Sequence, residues 1–202
     1  MPYSSLTARI VAVAAALATA LFLSSCSKPA FGGRTELTST DPPRITGTPA
    51  GYNADDVAFA NNMITHHEQG INLSVLGMNR SADADVTGFA AKTRATLESD
   101  IAVLRVLLVQ WNENPDTKTG GVHGATLRGM VDALTMAQLA SLHGTEFDKL
   151  WLQSMITLSG GAIEMANAEM VDGKNIDAVG LAKEVIKAQQ AQIQQINQML
   201  GG

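Results

Sequence analysis

Two stretches of the chain match each other at a constant offset of 92 residues, and this repeat restricts the possible folds more than any other feature. Residues 59–65, Phe-Ala-Asn-Asn-Met-Ile-Thr, align with residues 151–157, Trp-Leu-Gln-Ser-Met-Ile-Thr. Identical residues continue without a gap over about fifty positions, at Ile71 and Ile163, Met78 and Met170, Asp85 and Asp177, Gly88 and Gly180, Ala90 and Ala182, Ile101 and Ile193, and Leu108 and Leu200. Gapless agreement of this kind indicates an internal duplication.

Each copy contains two amphipathic stretches joined by a short polar break. Apolar residues recur in them at helical spacing. The predicted helices cover about residues 54–78 and 85–111 in the first copy, and about 146–170 and 177–200 in the second. Asn53 is a suitable N-cap for the first helix, with Asp56 at the position that completes a capping box. Because short breaks join antiparallel neighbours, each copy is predicted to form a helical hairpin.

The predicted fold class is all-α, a four-helix bundle made of the two duplicated hairpins. A single hairpin cannot hide its apolar stripe, whereas two hairpins packed together can. Aromatic residues make up only 4% of the chain, which disfavours a β-sandwich or barrel. Thr135 and Gln138 predict a capping box that starts a short extra helix. The bundle domain is predicted over residues 53–202, with copy one at 53–112, a long crossover at 113–144 and copy two at 145–200.

Residues 1–25 have the organisation of a bacterial signal peptide. A positive charge at Arg9 precedes an apolar run from Ile10 to Leu23, and small residues follow it. This run is too short to cross a hydrocarbon core of about 30 Å as a helix. Leu23-Ser-Ser-Cys26 resembles a lipobox, in which cleavage leaves Cys26 as the first residue and acyl chains such as palmitate are attached to it. The alternative is an ordinary signal peptide followed by a chance cysteine.

Residues 26–52 are predicted to be the lipidated cysteine and a flexible tether. The tether is rich in Pro, Gly, Thr and Ser, and as a coil it would reach roughly 25–30 Å. Removing residues 1–25 leaves 13 Lys and Arg against 19 Asp and Glu, a net charge of −6. Anionic lipid does not attract such a body, so the acyl chains would hold it at the extracytoplasmic face of the cell membrane. The lack of any basic block excludes nucleic acid as a partner, and a single cysteine excludes disulfides and cysteine-based zinc sites within the chain.

An adjacent pair of histidines in the first copy is the clearest candidate for chemistry. His66 and His67 are two of the four histidines in the chain. On a helix, Met63 shares their face, and Gly70 continues it without a side chain, so that another helix can come close. The two imidazoles diverge by about 100° around the axis, so one helix does not easily direct both at one metal. Either a second helix contributes ligands, or each histidine makes a different contact.

The motifs around this pair resemble a known family. Asp56-Val-Ala-Phe59 followed by Met63-Ile-Thr-His66-His67-x-x-Gly70-Ile71 resembles the bacterial secreted family called domain-of-unknown-function family 305. In the second copy, residues 144–156 and 162–166 resemble that family's second half. The resemblance covers about residues 53–200 and implies a ferritin-like helical bundle. It also implies a role with copper, because some members are implicated in copper binding and copper tolerance outside the cytoplasm.

The family pattern, Met-Ile-x-His-His-x-x-Ala-Ile-x-Met given twice, is incomplete in both copies. The first copy keeps the histidines but has Leu73 at the later methionine position. The second copy keeps Met165 but has Leu158 and Ser159 in place of the histidines. A symmetric two-metal site is therefore not expected. A composite site remains if the copies face each other, and its ligands would be Met63, His66, His67, Met155 and Met165.

Imidazole and thioether ligands without thiolate suit copper, and Cu(I) above all, better than magnesium or calcium. The alternative is structural, since methionines at helical spacing are common core residues and a histidine pair can simply be solvated. His123 in the crossover and His143 near the predicted end of the short helix are not assigned to the site, and the latter suits a helix C-terminus. The Gln-rich stretch 189–198 predicts a polar helix face. No Glu-x-x-His is present, so a ferritin-type di-iron centre is not predicted.

Two main hypotheses follow from the sequence. In the first, a lipid-anchored extracytoplasmic protein binds a metal, copper before others, for sequestration or for transfer to a copper-handling protein partner. In the second, the degenerate copy marks a lost site, and the chain is an anchored structural or interaction module. Neither is an enzyme. A metal-dependent redox enzyme is a third hypothesis, for which the sequence supplies no substrate pocket or catalytic base.

Overall fold

The computed structural model describes residues 50–113 and 127–201, which form five helices and no strand. The helices are α1 (Ala54–Arg80), α2 (Ala84–Gln110), α3 (Ala133–Ser141), α4 (Gly144–Asp172) and α5 (Ile176–Gly201). The predicted signal peptide, Cys26, the tether up to residue 49 and the part of the crossover that contains His123 lie outside the described residues. None of the described helices combines the length and the hydropathy needed to span a membrane.

The four long helices confirm the predicted all-α, ferritin-like bundle of two hairpins. α1 packs along α2 and α4 packs along α5, and the hairpins meet mainly through α1 and α4. The end of α1 at Arg80 and the end of α4 at Asp172 lie 92 residues apart, as do the starts of α2 at Ala84 and α5 at Ile176. The turn inside each hairpin therefore keeps the offset of the sequence repeat.

The capping prediction is confirmed for α1 and wrong for α3. Asn53 caps α1 through two backbone N–H groups of the first turn, and the carboxylate of Asp56 accepts the N–H of Asn53 in return. The N-cap of α3 is Asp132, not Thr135. The Asp132 carboxylate accepts two backbone N–H groups and the hydroxyl of Thr135. The N-cap of α3 is therefore three residues earlier than predicted, at Asp132.

His143 directly follows the C-cap of α3, so it lies near the end of that helix as predicted. α3 ends at Ser141, and Leu142 is its C-cap. His143 is also the N-cap residue of α4, and its side chain makes no capping hydrogen bond. Because it stands between the C-terminus of one helix and the N-terminus of the next, the two helix dipoles have opposite effects on a positive charge there.

The segment that precedes α3 crosses α4 at a glycine. The amide of Gln69 on α1 holds this segment through two hydrogen bonds of 2.8 Å with the backbone of Val131. A Cβ at Gly161 would collide with the backbone of Arg128 and Gly129. Gln69 and Gly161 occupy equivalent positions in the repeat. The second copy therefore lacks a side chain at the place where the crossover passes over it.

Asp56 joins the start of α1 to the turn between α4 and α5. It is fully buried. One carboxylate oxygen accepts the N–H of Asn53 at 2.6 Å, and the other accepts the N–H groups of Lys174 and Asn175 at 3.0 and 2.9 Å. The side-chain amide of Asn53 also donates to the carbonyl of Asp172 at 2.8 Å. These charge-assisted hydrogen bonds hold the two hairpins together at this end.

Gly77→Ala is expected to lower the free energy of unfolding by about 1–3 kcal/mol, because the core has no room for a methyl group there. A Cβ at Gly77 would lie 2.7 Å from the ring of Trp151. That indole is fully buried, and its N–H donates to the carbonyl of Leu73 at 2.7 Å. Gly88→Ala is the matched control, since Gly88 is exposed on α2 and, among the described residues, no atom beyond its own helical turn lies within 4 Å of its Cβ position. The control should stabilise the helix by up to about 1 kcal/mol, and urea unfolding that moves both variants equally would contradict the expectation.

Candidate metal centre

His66 and His67 lie in the middle of α1, between two apolar clusters of the core. Each side chain is only 1% exposed. The cluster nearer the start of α1 contains Met63, and the cluster nearer its end contains Leu73. The histidines thus interrupt an apolar interior, so the solvated alternative for this pair does not apply.

Gly70 explains how the neighbouring helices cover the pair. A Cβ at this position would come 2.5 Å from Cδ1 of Leu97 on α2 and 3.1 Å from Cδ2 of Leu158 on α4. Any side chain here would push these helices away. The close approach expected from the sequence is therefore present, and it seals the two imidazoles from solvent.

All four ring nitrogens of the pair are buried and lack a hydrogen-bond partner within the described residues. One carboxylate lies close by, since Oδ2 of Asp100 on α2 is 3.4 Å from Nε2 of His67. A buried polar group without a partner costs about 1–3 kcal/mol. Such a concentration of unpaired atoms is uncommon in a native core, and it marks this place as a candidate site.

The environment keeps His66 uncharged. Burial, and after it the neighbouring His67, lowers the pKa of His66 to about 3, against a smaller opposing effect of the Leu158 backbone. At neutral pH its imidazole is therefore neutral, which is the form that binds metals. The two ring centroids lie 6.1 Å apart, with their planes inclined by 58°. Because a metal–nitrogen bond is about 2 Å long, each ring centroid lies about 3 Å from a bound ion, so this separation allows a shared ion only if the rings stand on nearly opposite sides of it.

A cavity of about 10 Å³ lies beside the two imidazoles, which is room for about one water-sized particle. Its lining residues come from the four long helices and are His66, His67, Thr93, Leu97, Met155, Leu158, Ser159, Gln189 and Gln192. Positions 158 and 159 are the repeat equivalents of positions 66 and 67. The surviving histidines and the residues that replace the second pair therefore line one shared cavity between the hairpins.

The structure brings together three of the five predicted ligands. His66, His67 and Met155 line the same cavity. Met63 is fully buried in the apolar cluster nearer the start of α1 and does not line it. Met165 lines a different groove, at the end of the bundle where α1 begins. The two copies do face each other, but only one of the three methionines reaches the cavity.

The donor set at this cavity is not that of a hard cation. Across residues 50–113 and 127–201, no group of three or more His, Cys, Asp or Glu side chains converges in a way that could hold a metal. An ion here would depend on neutral imidazole, thioether and neutral oxygen donors. Such donors suit a soft cation and not magnesium or calcium.

Sequence reasoning missed the polar side chains that the other helices bring to the cavity. The sequence predicted a polar helix face for the Gln-rich stretch. Gln189 is only 4% exposed, so this stretch does not lie wholly on the outside. The repeat contains the signal that could have found it, because Gln189 aligns with Leu97, a core position in the first copy. Asp100 has no comparable signal, since only the packing of α2 against α1 brings it near His67.

Comparison with known proteins places the bundle among similar folds. A family model described as Domain of unknown function (DUF305) matches residues 56–200. None of the curated proteins matches the chain. A putative secreted DUF305 protein from Streptomyces coelicolor is 23% identical, with a TM-score of 0.67 over 74% of this chain and 94% of the other. A DUF305 fragment from Deinococcus radiodurans is 22% identical, with a TM-score of 0.67 over 76% of this chain and 99% of the other.

CopM is a further structural neighbour. Its Cu(I)-bound form is 20% identical, with a TM-score of 0.60 over 71% of this chain and 94% of the other. Its Cu(II)-bound form is 22% identical, with a TM-score of 0.62 over the same shares. At these identities the likeness establishes the fold of this chain, and the bound copper is a property of CopM.

Proposed function

The chain belongs to the DUF305 family, as its sequence motifs indicate, and on this premise we propose that it binds copper, Cu(I) above all, between its two hairpins. The proposed ligands are His66, His67 and Met155. The protein would sequester the ion or hand it to a copper-handling partner, and it would not act as an enzyme. It would do so on the extracytoplasmic face of the cell membrane, held there by acyl chains on Cys26.

One observation carries this function: among the described residues, three buried ring nitrogens have no partner, the fourth faces only the Asp100 carboxylate, and all lie beside a buried thioether. Core packing alone does not account for two adjacent imidazoles sealed from water, because their unpaired nitrogens destabilise the fold. A soft cation would satisfy the nitrogens where they stand. Imidazole and thioether are the ligands expected for copper in a site without thiolate.

The structural neighbours support copper as the metal. CopM, whose fold is similar, has been solved with Cu(I) and with Cu(II) bound. A bundle of this shape can therefore hold copper. Which residues of this chain would do so is argued from its own cavity.

The alternative function is that of an anchored structural or interaction module. Leu158 and Ser159, which stand where the family pattern has a second histidine pair, favour it. Titration of the soluble chain, residues 27–202, with Cu(I) against a competing chelator separates the two. We expect one equivalent of Cu(I) to be taken up. Weak uptake without a defined stoichiometry would favour the structural module, and turnover in a copper-dependent oxidase assay would favour a redox enzyme.

Asp100→Ala is expected to weaken Cu(I) affinity by about tenfold, at the lower end of the effect typical for carboxylates that orient a ligating histidine. The carboxylate is 3.4 Å from Nε2 of His67, so it favours a proton on that nitrogen and leaves Nδ1 available for an ion. The matched control is Glu98→Gln on the same helix, which removes a surface ion pair of 2.7 Å with Arg94. Competition titration should show no change in the control. Unchanged affinity in Asp100→Ala would mean that packing alone orients His67.

A further inference from the structure

The described chain enters the bundle at the end where α1 and α5 begin and α2 and α4 end, which we call the entry end. The side-chain amide of Asn175 donates to the carbonyl of Ala50 at 3.1 Å. The hydroxyl of Tyr52 donates to the carbonyl of Trp111 at 2.8 Å, and the two rings stack with centroids 5.2 Å apart. These contacts place Ala50, the first described residue, at the entry end.

Large apolar side chains are exposed mainly near the entry end. Of the nine within the described ranges, seven lie at the chain entry, in the last eight residues of α2, at the end of α4 or at the start of α5. The three most exposed of the seven are Val171 at 81%, Ile176 at 73% and Val109 at 63%. Single exposed apolar residues are ordinary, whereas their concentration at one end points to an interaction surface.

We propose that the entry end rests on the lipid bilayer, with Val171, Ile176 and Val109 entering the headgroup region. Such docking rests on the lipid anchor at Cys26 put forward with the proposed function, and it is independent of copper. Cys26 precedes Ala50 by 24 residues, and the tether predicted for this stretch would reach roughly 25–30 Å as a coil. A tether of this reach gives an effective concentration of about millimolar. A weak apolar attraction is then enough to keep the entry end on the bilayer.

Charges at the entry end favour an uncharged lipid surface as the occupant. The charged side chains at least partly exposed at this end are Asp55, Glu113, Asp172 and Asp177, against Arg105 and Lys174. Anionic headgroups would repel this surplus of acid, and salt would screen the repulsion. A second copy of the chain would bring the same acidic groups to the contact, which disfavours self-association through this surface.

A fluorescence experiment on the full lipidated protein tests this docking. An environment-sensitive fluorophore is attached at Val171→Cys, or for the control at Ala82→Cys in the turn at the opposite end of the bundle. Acylated Cys26 does not react with it. The protein is reconstituted into phosphatidylcholine vesicles that carry doxyl-labelled lipid. We expect a blue shift and strong lipid quenching at position 171, and neither at position 82. Adding phosphatidylglycerol at low salt should weaken the quenching, and salt should restore it.

The companion variant Ile176→Ser/Val109→Ser, in the Val171→Cys background, should reduce the quenching while the protein still floats with the vesicles. Both residues are exposed, so the thermal unfolding midpoint should not change. Flotation without quenching at position 171 would overturn the docking and leave the anchor standing. Loss of flotation would overturn both the anchor and the docking, and the copper-binding proposal would be unaffected. A blue shift that depends on protein density and is insensitive to doxyl lipid would assign the surface to a second copy instead.

Discussion

A chain that carries His66→Leu and His67→Ser is expected to fold like the wild type and to lose its Cu(I) uptake. The two substitutions copy Leu158 and Ser159, the repeat-equivalent residues, which are already buried at the same cavity. They remove two of the three proposed ligands. The affinity should therefore fall by more than about 100-fold, beyond the range typical of residues that only orient a ligand. Competition for Cu(I) with a chelator measures the loss.

The same variant should be at least as stable as the wild type in the absence of metal. It replaces imidazole nitrogens that have no partner among the described residues, and removing an unsatisfied buried polar group relieves its desolvation cost. Thermal unfolding without copper tests this. A large loss of stability would mean that the histidines serve packing, and stoichiometric uptake by the variant would place the copper elsewhere.

Methionine variants test which of the predicted thioethers contributes to Cu(I) binding. Met155→Leu should weaken Cu(I) binding, because Met155 lines the cavity with the histidines. Met63→Leu and Met165→Leu are the matched controls, since neither residue lines it. Leucine conserves the volume, so each change should cost less than about 1.5 kcal/mol of stability. Weakened binding in Met63→Leu or Met165→Leu would extend the ligand set toward the composite of five residues expected from the sequence.

The second large effect concerns pH: the free energy of unfolding should decrease as the pH rises from about 5 to about 8, and Glu169→Gln should abolish this decrease. Glu169 is 2% exposed. Burial first, then a hydrogen bond with Asp56 and the negative charges of Asp56 and Asp55, together raise its pKa from 4.5 to about 8. Between these two values the native protein keeps a proton that the unfolded chain releases. Stability should then be lost at up to about 1 kcal/mol per pH unit, and the loss is complete above pH 8.

The contact with Asp56 explains why glutamine suits this position. Within the described part of the chain, no donor faces either oxygen of Glu169, so a hydrogen bond to Asp56 needs the carboxyl proton. A glutamine side chain keeps the shape and supplies an N–H group without titrating. Above pH 8 the variant should therefore be more stable than the wild type.

Urea unfolding at a series of pH values measures this dependence. Glu164→Gln is the control, because it removes a carboxylate from the same helix whose side chain is 58% exposed. The control should keep the pH dependence of the wild type. A flat wild-type curve between pH 5 and pH 8 would mean that native Glu169 is already ionised at neutral pH.

Asp56 has the opposite effect on the pH dependence, because it makes the free energy of unfolding decrease at low pH. Burial opposes its ionisation, but the N–H groups of Asn175 and Asn53 and the adjacent Glu169 hold its pKa below 3.8. The stabilisation is present above that value and is lost as the pH falls through the lowered pKa. The same series of unfolding curves should therefore reach its maximum between about pH 4 and pH 5.

Local features of the sequence determined the helices and the fold class. Periodicity and capping depend on neighbouring residues, and the internal repeat extended the prediction of a hairpin from the first copy to the second. The error at α3 has the same local origin, because Asp132 and Thr135 are both suitable N-caps and only three residues separate them. The lipid anchor at Cys26 and the tether stay predictions, since they lie outside the described residues.

What only the tertiary structure decided is which side chains meet. From the sequence, Met155 and Met165 were equivalent candidates on one helix, and the packing of α4 against α1 brings only Met155 to the histidines. Gln189 and Asp100 come near the site from α5 and α2, far away along the chain. Periodicity and capping are read from residues within a turn or two of each other. Burial of the histidine pair, and the unpaired nitrogens that result, depend on contacts between distant helices, and no short stretch of sequence encodes those contacts.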